Sequence, residues 1–290
     1  MNKHAPAAST DAADALRLRG ISKSFNDIPV LHSVDFDLRW GEVHALLGEN
    51  GAGKSTLMNI LTGIYASDTG TVEVGGAPAA IRSPADAMRH GIGMVHQHFK
   101  LVPAFTAREN LHLAASSRAL TTDAVNSQID DVLAQTGRSV PLDVPVGTLS
   151  VAERQRIEIL KALILGARIL VLDEPTAVLT DQEAARLLEL MRELANSGRA
   201  IVFITHKLRE VTAVADRVST LRKGHIVMHG QAVADVTARD LSIAMIGEEQ
   251  AAASARAPLA PSDPIQEISG LTERADGILA VNNASLTIHA

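Results

Sequence analysis

Short apolar runs alternate with longer amphipathic ones from Leu16 to about Ile246. Residues 43–47, 169–172 and 201–205 are almost unbroken apolar runs, each closed by Gly, charged or turn residues. Continuous rather than alternating hydrophobicity marks strands buried on both faces, the habit of parallel sheets. Between such runs, 181–196 carries Leu187, Leu188, Leu190, Met191 and Leu194 at helical spacing. Strand and helix patterns in alternation predict an α/β domain. The most apolar stretch, 157–172, is interrupted by Glu158, Lys161 and Arg168. A membrane span needs about 20 predominantly apolar residues, so none is read here.

The pattern changes after residue 247. EEQAAASARAPLAPSDP, from Glu248 to Pro264, has the Ala, Ser and Pro bias of a linker. A pattern then returns. Shifted by 250 positions, Leu18-Arg19-Gly20 lies on Ile268-Ser269-Gly270, Ile28 on Ile278, Leu31 on Val281, Phe36 on Leu286 and Leu38 on Ile288. An internal repeat of this kind predicts that a second copy of the domain begins near Pro264. At the same offset Ala290 falls on Trp40. The expectation is therefore a piece of a protein nearly twice as long. Its 281–288 strand would be an aggregation-prone edge.

Composition narrows the function. The 290 residues hold 27 Lys plus Arg against 33 Asp plus Glu, a net charge of −6. A mild acidic excess argues against a general nucleic-acid binder, and 2% aromatic residues argue against base-stacking platforms. The absence of cysteine excludes disulfides, thiolate zinc sites and a Cys nucleophile. Residues 1–13 are small and polar, without the apolar centre of a secretory signal.

Two motifs carry chemistry. Gly48-Glu49-Asn50-Gly51-Ala52-Gly53-Lys54-Ser55 fits G-x-x-x-x-G-K-[ST] between an apolar strand and a helical run. That context suits backbone N–H groups curled around phosphates at a helix N-terminus. Lys54 is placed to reach the β- and γ-phosphates and Ser55 to ligate Mg²⁺. At 119 residues beyond Lys54, an apolar run ends in Asp173-Glu174-Pro175. A strand-end Asp173 suits Mg²⁺, and Glu174 suits polarisation of an attacking water.

Leu149-Ser150-Val151-Ala152-Glu153-Arg154-Gln155-Arg156 ends 17 residues before Asp173. It resembles the signature of ABC transporter ATPases, usually Leu-Ser-Gly-Gly-Gln. Gln97, in Met94-Val95-His96-Gln97-His98-Phe99, resembles that family's Q-loop. His206, in Ile204-Thr205-His206-Lys207, resembles its switch histidine. Phe25 lies 29 residues before Lys54, where the family places an aromatic that stacks on adenine. The resemblance covers about 16–246 and implies a P-loop NTPase with a parallel-sheet core and an antiparallel β subdomain. A helical subdomain is inserted at about 99–161. The expected organisation is a tail at 1–14, a nucleotide-binding domain at 15–247, a linker at 248–263 and the start of a second domain at 264–290.

The resemblance also implies function. ATP is bound by Phe25, Asn50, Gly51, Ala52, Gly53, Lys54, Ser55, Thr56 and, from the facing domain, Ser150. Mg²⁺ is held by Ser55, Gln97 and Asp173, and hydrolysis to ADP and phosphate uses Glu174, His206 and Gln97. The expected partners are transmembrane permease subunits, an extracellular solute-binding protein acting indirectly, and a second ABC domain of the same chain or a second copy. Nucleic acid is not among them. The expected place is the cytoplasmic face of the cell membrane. Pro175-Thr176-Ala177-Val178-Leu179-Thr180 resembles the carbohydrate-uptake branch, whereas the run from Gly93 to Pro103 is closer to nucleoside importers. Val151 and Ala152 replace the signature glycines, and a Cβ at Ala152 crowds the approach of backbone to phosphate. The alternatives are thus an ATP-dependent clamp with little hydrolysis at that site, or a ribose-type rather than nucleoside importer.

Overall fold

The computed structural model describes residues 14–97, 99–116, 121–136, 140–247, 263–275 and 278–289. The expected tail and linker, apart from Asp14 and Asp263, lie outside the described residues. The chain divides into two compact units, Met1–Glu248 and Glu249–Ala290.

The first unit opens with β1 (Asp14–Phe25), β2 (Ile28–Arg39), β3 (Val43–Leu47), α1 (Lys54–Leu61), β4 (Thr69–Val74), β5 (Ala77–Pro78) and α2 (Pro84–Arg89). It continues with β6 (Ile92–Val95), α3 (Ala107–Ala115), α4 (Thr122–Thr136), α5 (Val151–Ile164), β7 (Ile169–Asp173) and α6 (Asp181–Asn196). It closes with β8 (Ala200–Ile204), α7 (Leu208–Val214), β9 (Arg217–Arg222), β10 (His225–Ala232) and α8 (Ala238–Ile246). A six-stranded sheet has the order β10-β9-β3-β8-β7-β6, parallel throughout except for β10. A four-stranded antiparallel sheet has the order β2-β1-β4-β5.

The three unbroken apolar runs become β3, β7 and β8, side by side at the centre of the parallel sheet. Alternate residues of a strand face opposite ways, so both faces must be covered. Val43, Ala45, Leu47, Leu170, Leu172, Ile201 and Phe203 join a core shared with α5 and α6. Leu46, Ile169, Val171, Val202 and Ile204 join a second core shared with α1 and the antiparallel sheet.

Thr180 has a local role. Its side chain caps α6, accepting from the Glu183 N–H, while the Glu183 carboxylate accepts from the Thr180 N–H at 2.9 Å. α5 runs unbroken to Ile164, and its C-terminal half is already part of the sheet-facing core.

One polar cluster sits inside this apolar frame. His44 of β3 is fully buried between Glu42 (2.8 Å) and Ser219 (2.9 Å). Arg217 lies 2.7 Å from Asp37 and 3.4 Å from Glu42, which ties β2 to the parallel sheet. Burial pushes the His44 imidazole below its ordinary range. Desolvation would raise Glu42 and Asp37, but His44 and Arg217 respectively hydrogen-bond them and hold both below the usual carboxylate range.

The second unit is a hairpin of β11 (Pro264–Ala275) and β12 (Ile278–His289). Its pairs Pro264↔His289, Ile268↔Leu286 and Ala275↔Ile278 match Asp14↔Arg39, Leu18↔Phe36 and Phe25↔Ile28 of the first hairpin at an offset of 250. The repeat read from the sequence is thus also a repeat of register.

Candidate functional site

Parallel strands deliver their C-terminal loops to one edge, the usual location of a site in such sheets. The loops after β3, β7 and β8 emerge together there, because β3 and β7 both pair with β8. They enclose a cavity of about 490 Å³ lined by residues 50–56, Gln97, Asp173 and Glu174, with Val30 and Ile204 at its sides.

The loop from β3 to α1 curls tightly. Gly53 has φ +106°, and a Cβ there would meet Leu31 Cδ2 at 2.8 Å and the Val30 carbonyl at 3.2 Å. Both the backbone angle and the close approach of β2 therefore require glycine. Behind the loop, Gly224 N–H donates to the Ala52 carbonyl at 3.0 Å. Lys54 is buried, and its ammonium donates to the Gly48 and Glu49 carbonyls at 2.7 and 2.9 Å. Burial pushes its pKa down, opposed by Glu174, Asp173 and Glu49. Asp173 is pushed up, first by burial and then by Glu174, with Lys54 opposing. Two carboxylates crowded at one strand end favour a cation beside them.

Glu174 stands in the left-handed region, with φ 44°. A non-glycine residue there is held by its surroundings at a cost of about 1–3 kcal/mol. Its N–H donates to the Ile204 carbonyl at 3.1 Å, and its Oε1 lies 3.3 Å from His206 Nδ1. The β7 and β8 loops thus bring a carboxylate and an imidazole together at the rim.

Other expected residues stand apart from the cavity. Phe25 meets Tyr65 edge-on at 5.1 Å, with Lys23 Nζ 5.4 Å from its ring, outside the lining. Ser150 caps α5 in a reciprocal pair with Glu153, again outside the lining. Ala152 is buried, its residue lining a small recess with Leu179, Leu187 and Leu190. Its neighbour Val151 borders a second cavity with Gln97, Phe99 and Arg154. Sequence reasoning missed Val30, Ile204, Tyr65 and a buried cluster of Thr176, Thr205 and Glu210. None has a local pattern that separates it from ordinary core or turn residues.

The family described as ABC transporter matches residues 31–177. The nucleoside import ATP-binding protein NupA of Lactococcus lactis is 41% identical over 279 residues, covering 95% of this chain and 55% of NupA. The ribose import ATP-binding protein RbsA 2 of Burkholderia cenocepacia is 42% identical over 268 residues, covering 90% of this chain and 53% of that protein. The chain thus spans about half the length of the curated relatives it matches. Among solved structures, cbiO1 of Clostridium perfringens, part of the ABC transporter complex cbiONQ, superposes with a TM-score of 0.68 at 27% identity. That match covers 75% of this chain and 88% of cbiO1.

Proposed function

This chain belongs to the ABC transporter family, and from that premise we propose that it is the ATP-binding and ATP-hydrolysing part of an importer for a nucleoside or simple sugar. The observation that carries the reading is one cavity edge where Lys54, Asp173 and Glu174 meet and His206 lies 3.3 Å from Glu174. Relatives named for nucleoside and for ribose import match almost equally well, so the solute is left as that pair of classes.

Residues 50–56 cradle the phosphates, with Lys54 turning from its loop carbonyls to the β- and γ-oxygens. Ser55, Gln97 and Asp173 offer hydroxyl, amide and carboxylate oxygens on the same cavity. That donor set fits Mg²⁺, which takes a few protein oxygens together with substrate phosphates and supplies charge neutralisation when bound. Water attacks the γ-phosphorus, its proton passes to Glu174, and ADP departs as the leaving group. His206 orients Glu174 and the water. Phe25, beside Tyr65, stacks on adenine.

Ser150 and the start of α5 serve the ATP held by a facing ABC domain. We assign 15–247 to one nucleotide-binding domain, 99–161 to its helical insertion and 248–263 to a linker. The β11–β12 hairpin is read as the opening of a second domain, on the strength of its matching register. No helix among the described residues is long and apolar enough to cross a membrane. In this reading a permease carries the solute, supplied by an extracellular binding protein, while this subunit acts from the cytoplasmic face.

The test is Glu174→Gln in the full-length protein assembled with its permease. ATP still binds, and turnover falls by at least about 100-fold. Wild-type turnover removes Glu174 from the role of base. Lys54→Ala in the same assembly weakens ATP binding tenfold or more, about 1.4 kcal/mol. An unchanged affinity by calorimetry contradicts the phosphate-loop assignment.

A further inference from the structure

We infer that Glu210 is a positioning residue for hydrolysis: its buried carboxylate ties the loop carrying Glu174 to the loop carrying His206. The inference rests on the hydrolytic reading above and adds a residue that does not line the cavity.

Thr176 follows Glu174 by two positions, and Thr205 immediately precedes His206. Both hydroxyls donate to Glu210, Thr176 to Oε1 at 2.5 Å and Thr205 to Oε2 at 2.9 Å. All three residues are buried, at 2%, 2% and 7% exposure. Lys207 closes the cluster. Its Nζ donates to the Thr176 carbonyl at 3.0 Å and lies 3.3 Å from Glu210 Oε1, and its N–H donates to Thr205 Oγ1 at 3.1 Å.

Burying a carboxylate is costly unless its oxygens are hydrogen-bonded and its charge is paired. Here one hydroxyl comes from each of the two loops that carry the acting residues. An ionised carboxylate only accepts, so both hydroxyls must point at it, and the spacing between the loops is set. A place in the first turn of α7 alone would satisfy the helix dipole without reaching across to β7. Glu174 needs such external support, because its left-handed backbone relaxes unless neighbours hold it. A displacement of about 1 Å in an acting group costs on the order of 100-fold in rate. Glu210 therefore acts through Glu174 and His206 and never touches ATP.

The experiment uses the full-length protein assembled with its permease, with steady-state ATPase kinetics and equilibrium ATP binding. Glu210→Ala is expected to lower kcat by about 10- to 100-fold, with KM and ATP affinity within about twofold of wild type. Glu210→Gln, whose amide bridges the two hydroxyls by accepting from one and donating to the other, restores kcat to within about threefold of wild type. Thr176→Val removes one arm at nearly constant shape and is expected to lower kcat about tenfold; it decides the matter if Glu210→Ala does not fold. Wild-type kcat in Glu210→Ala or Thr176→Val overturns the inference. So does a rise of KM and ATP dissociation constant in step with the loss of kcat, or an equal loss in Glu210→Gln and Glu210→Ala. If the wild-type assembly shows no turnover above the Glu174→Gln background, the hydrolytic reading itself falls, and this inference with it.

Discussion

The β1–β2 and β11–β12 hairpins share a register and differ in what lies against them. Their irregularities coincide at the 250 offset, between Leu18 and Ile21 in one and between Ile268 and Leu271 in the other. The local devices coincide too. Gly20 and Gly270 have φ +60° and +64°, and their N–H groups donate to Asp35 and Ser285. Ser33 and Asn283 have φ +48° and +50°, and their N–H groups donate to Ser22 and Thr272. Burial does not coincide: Phe36 and Leu38 are 1% and 0% exposed, while Leu286 and Ile288 are 58% and 42% exposed. Register is therefore set by bulges and side-chain-to-backbone bonds within the hairpin. What the covering adds is stability and, through Leu31 against Gly53, a wall for the phosphate loop.

The largest break in the comparison comes from the covered apolar face. Phe36→Ala is expected to cost about 3–5 kcal/mol, a transfer loss plus an unfilled cavity. In the 290-residue chain by itself, Leu286→Ala at the matching position is expected to change stability by no more than about 0.5 kcal/mol. Denaturant unfolding of both variants checks this, and equal costs would mean that coverage contributes little.

A smaller break comes from the ion network. Asp37, bonded to Arg217 and 3.1 Å from His229, is matched by Thr287. Asp37→Thr makes the first hairpin like the second at this position and leaves Arg217 with Glu42 and the Gly230 carbonyl, at a cost of about 2 kcal/mol at pH 7 for a half-buried pair. The pH dependence has a definite sign. Asp37 and Glu42 are held below 3.8 and 4.5, so their contribution is complete above those values and is lost as pH falls through the folded ones. The stability gap between wild type and Asp37→Thr should therefore narrow on acidification below about pH 4. A gap that stays constant to pH 2 assigns the effect to packing instead.

The same contrast explains what the sequence makes legible. The buried runs that became β3, β7 and β8, the phosphate loop, Asp173-Glu174 and the 250-residue repeat are all local patterns, readable within a few turns of chain. The Glu42–His44–Arg217–Asp37 network and the Thr176–Thr205–Glu210 bridge are not. Their members lie up to 180 positions apart, and each alone reads as a strand, turn or helix residue. Ala152 shows the converse limit. The loss of the signature glycine is visible in the sequence, but only the packing of α5 reveals that Ala152 is buried while Val151 borders the second cavity.

The smallest expected effect is the sharpest test of local control. An alanine at Gly20 or Gly270 meets no severe clash, with the nearest atoms 3.7 Å and 3.3 Å from the added Cβ. What remains is the left-handed backbone, about 1 kcal/mol for alanine and independent of coverage. Gly20→Ala and Gly270→Ala should therefore weaken their own hairpins equally. Amide exchange should read this as an approximately fivefold loss of protection across Leu18–Phe36 in one and Ile268–Leu286 in the other. If Gly270→Ala abolishes protection while Gly20→Ala leaves it intact, coverage holds the first register, and the shared code of the two hairpins is insufficient without it. Equal losses mean that each hairpin folds on its own instructions and that the surrounding sheet only stabilises what is already formed.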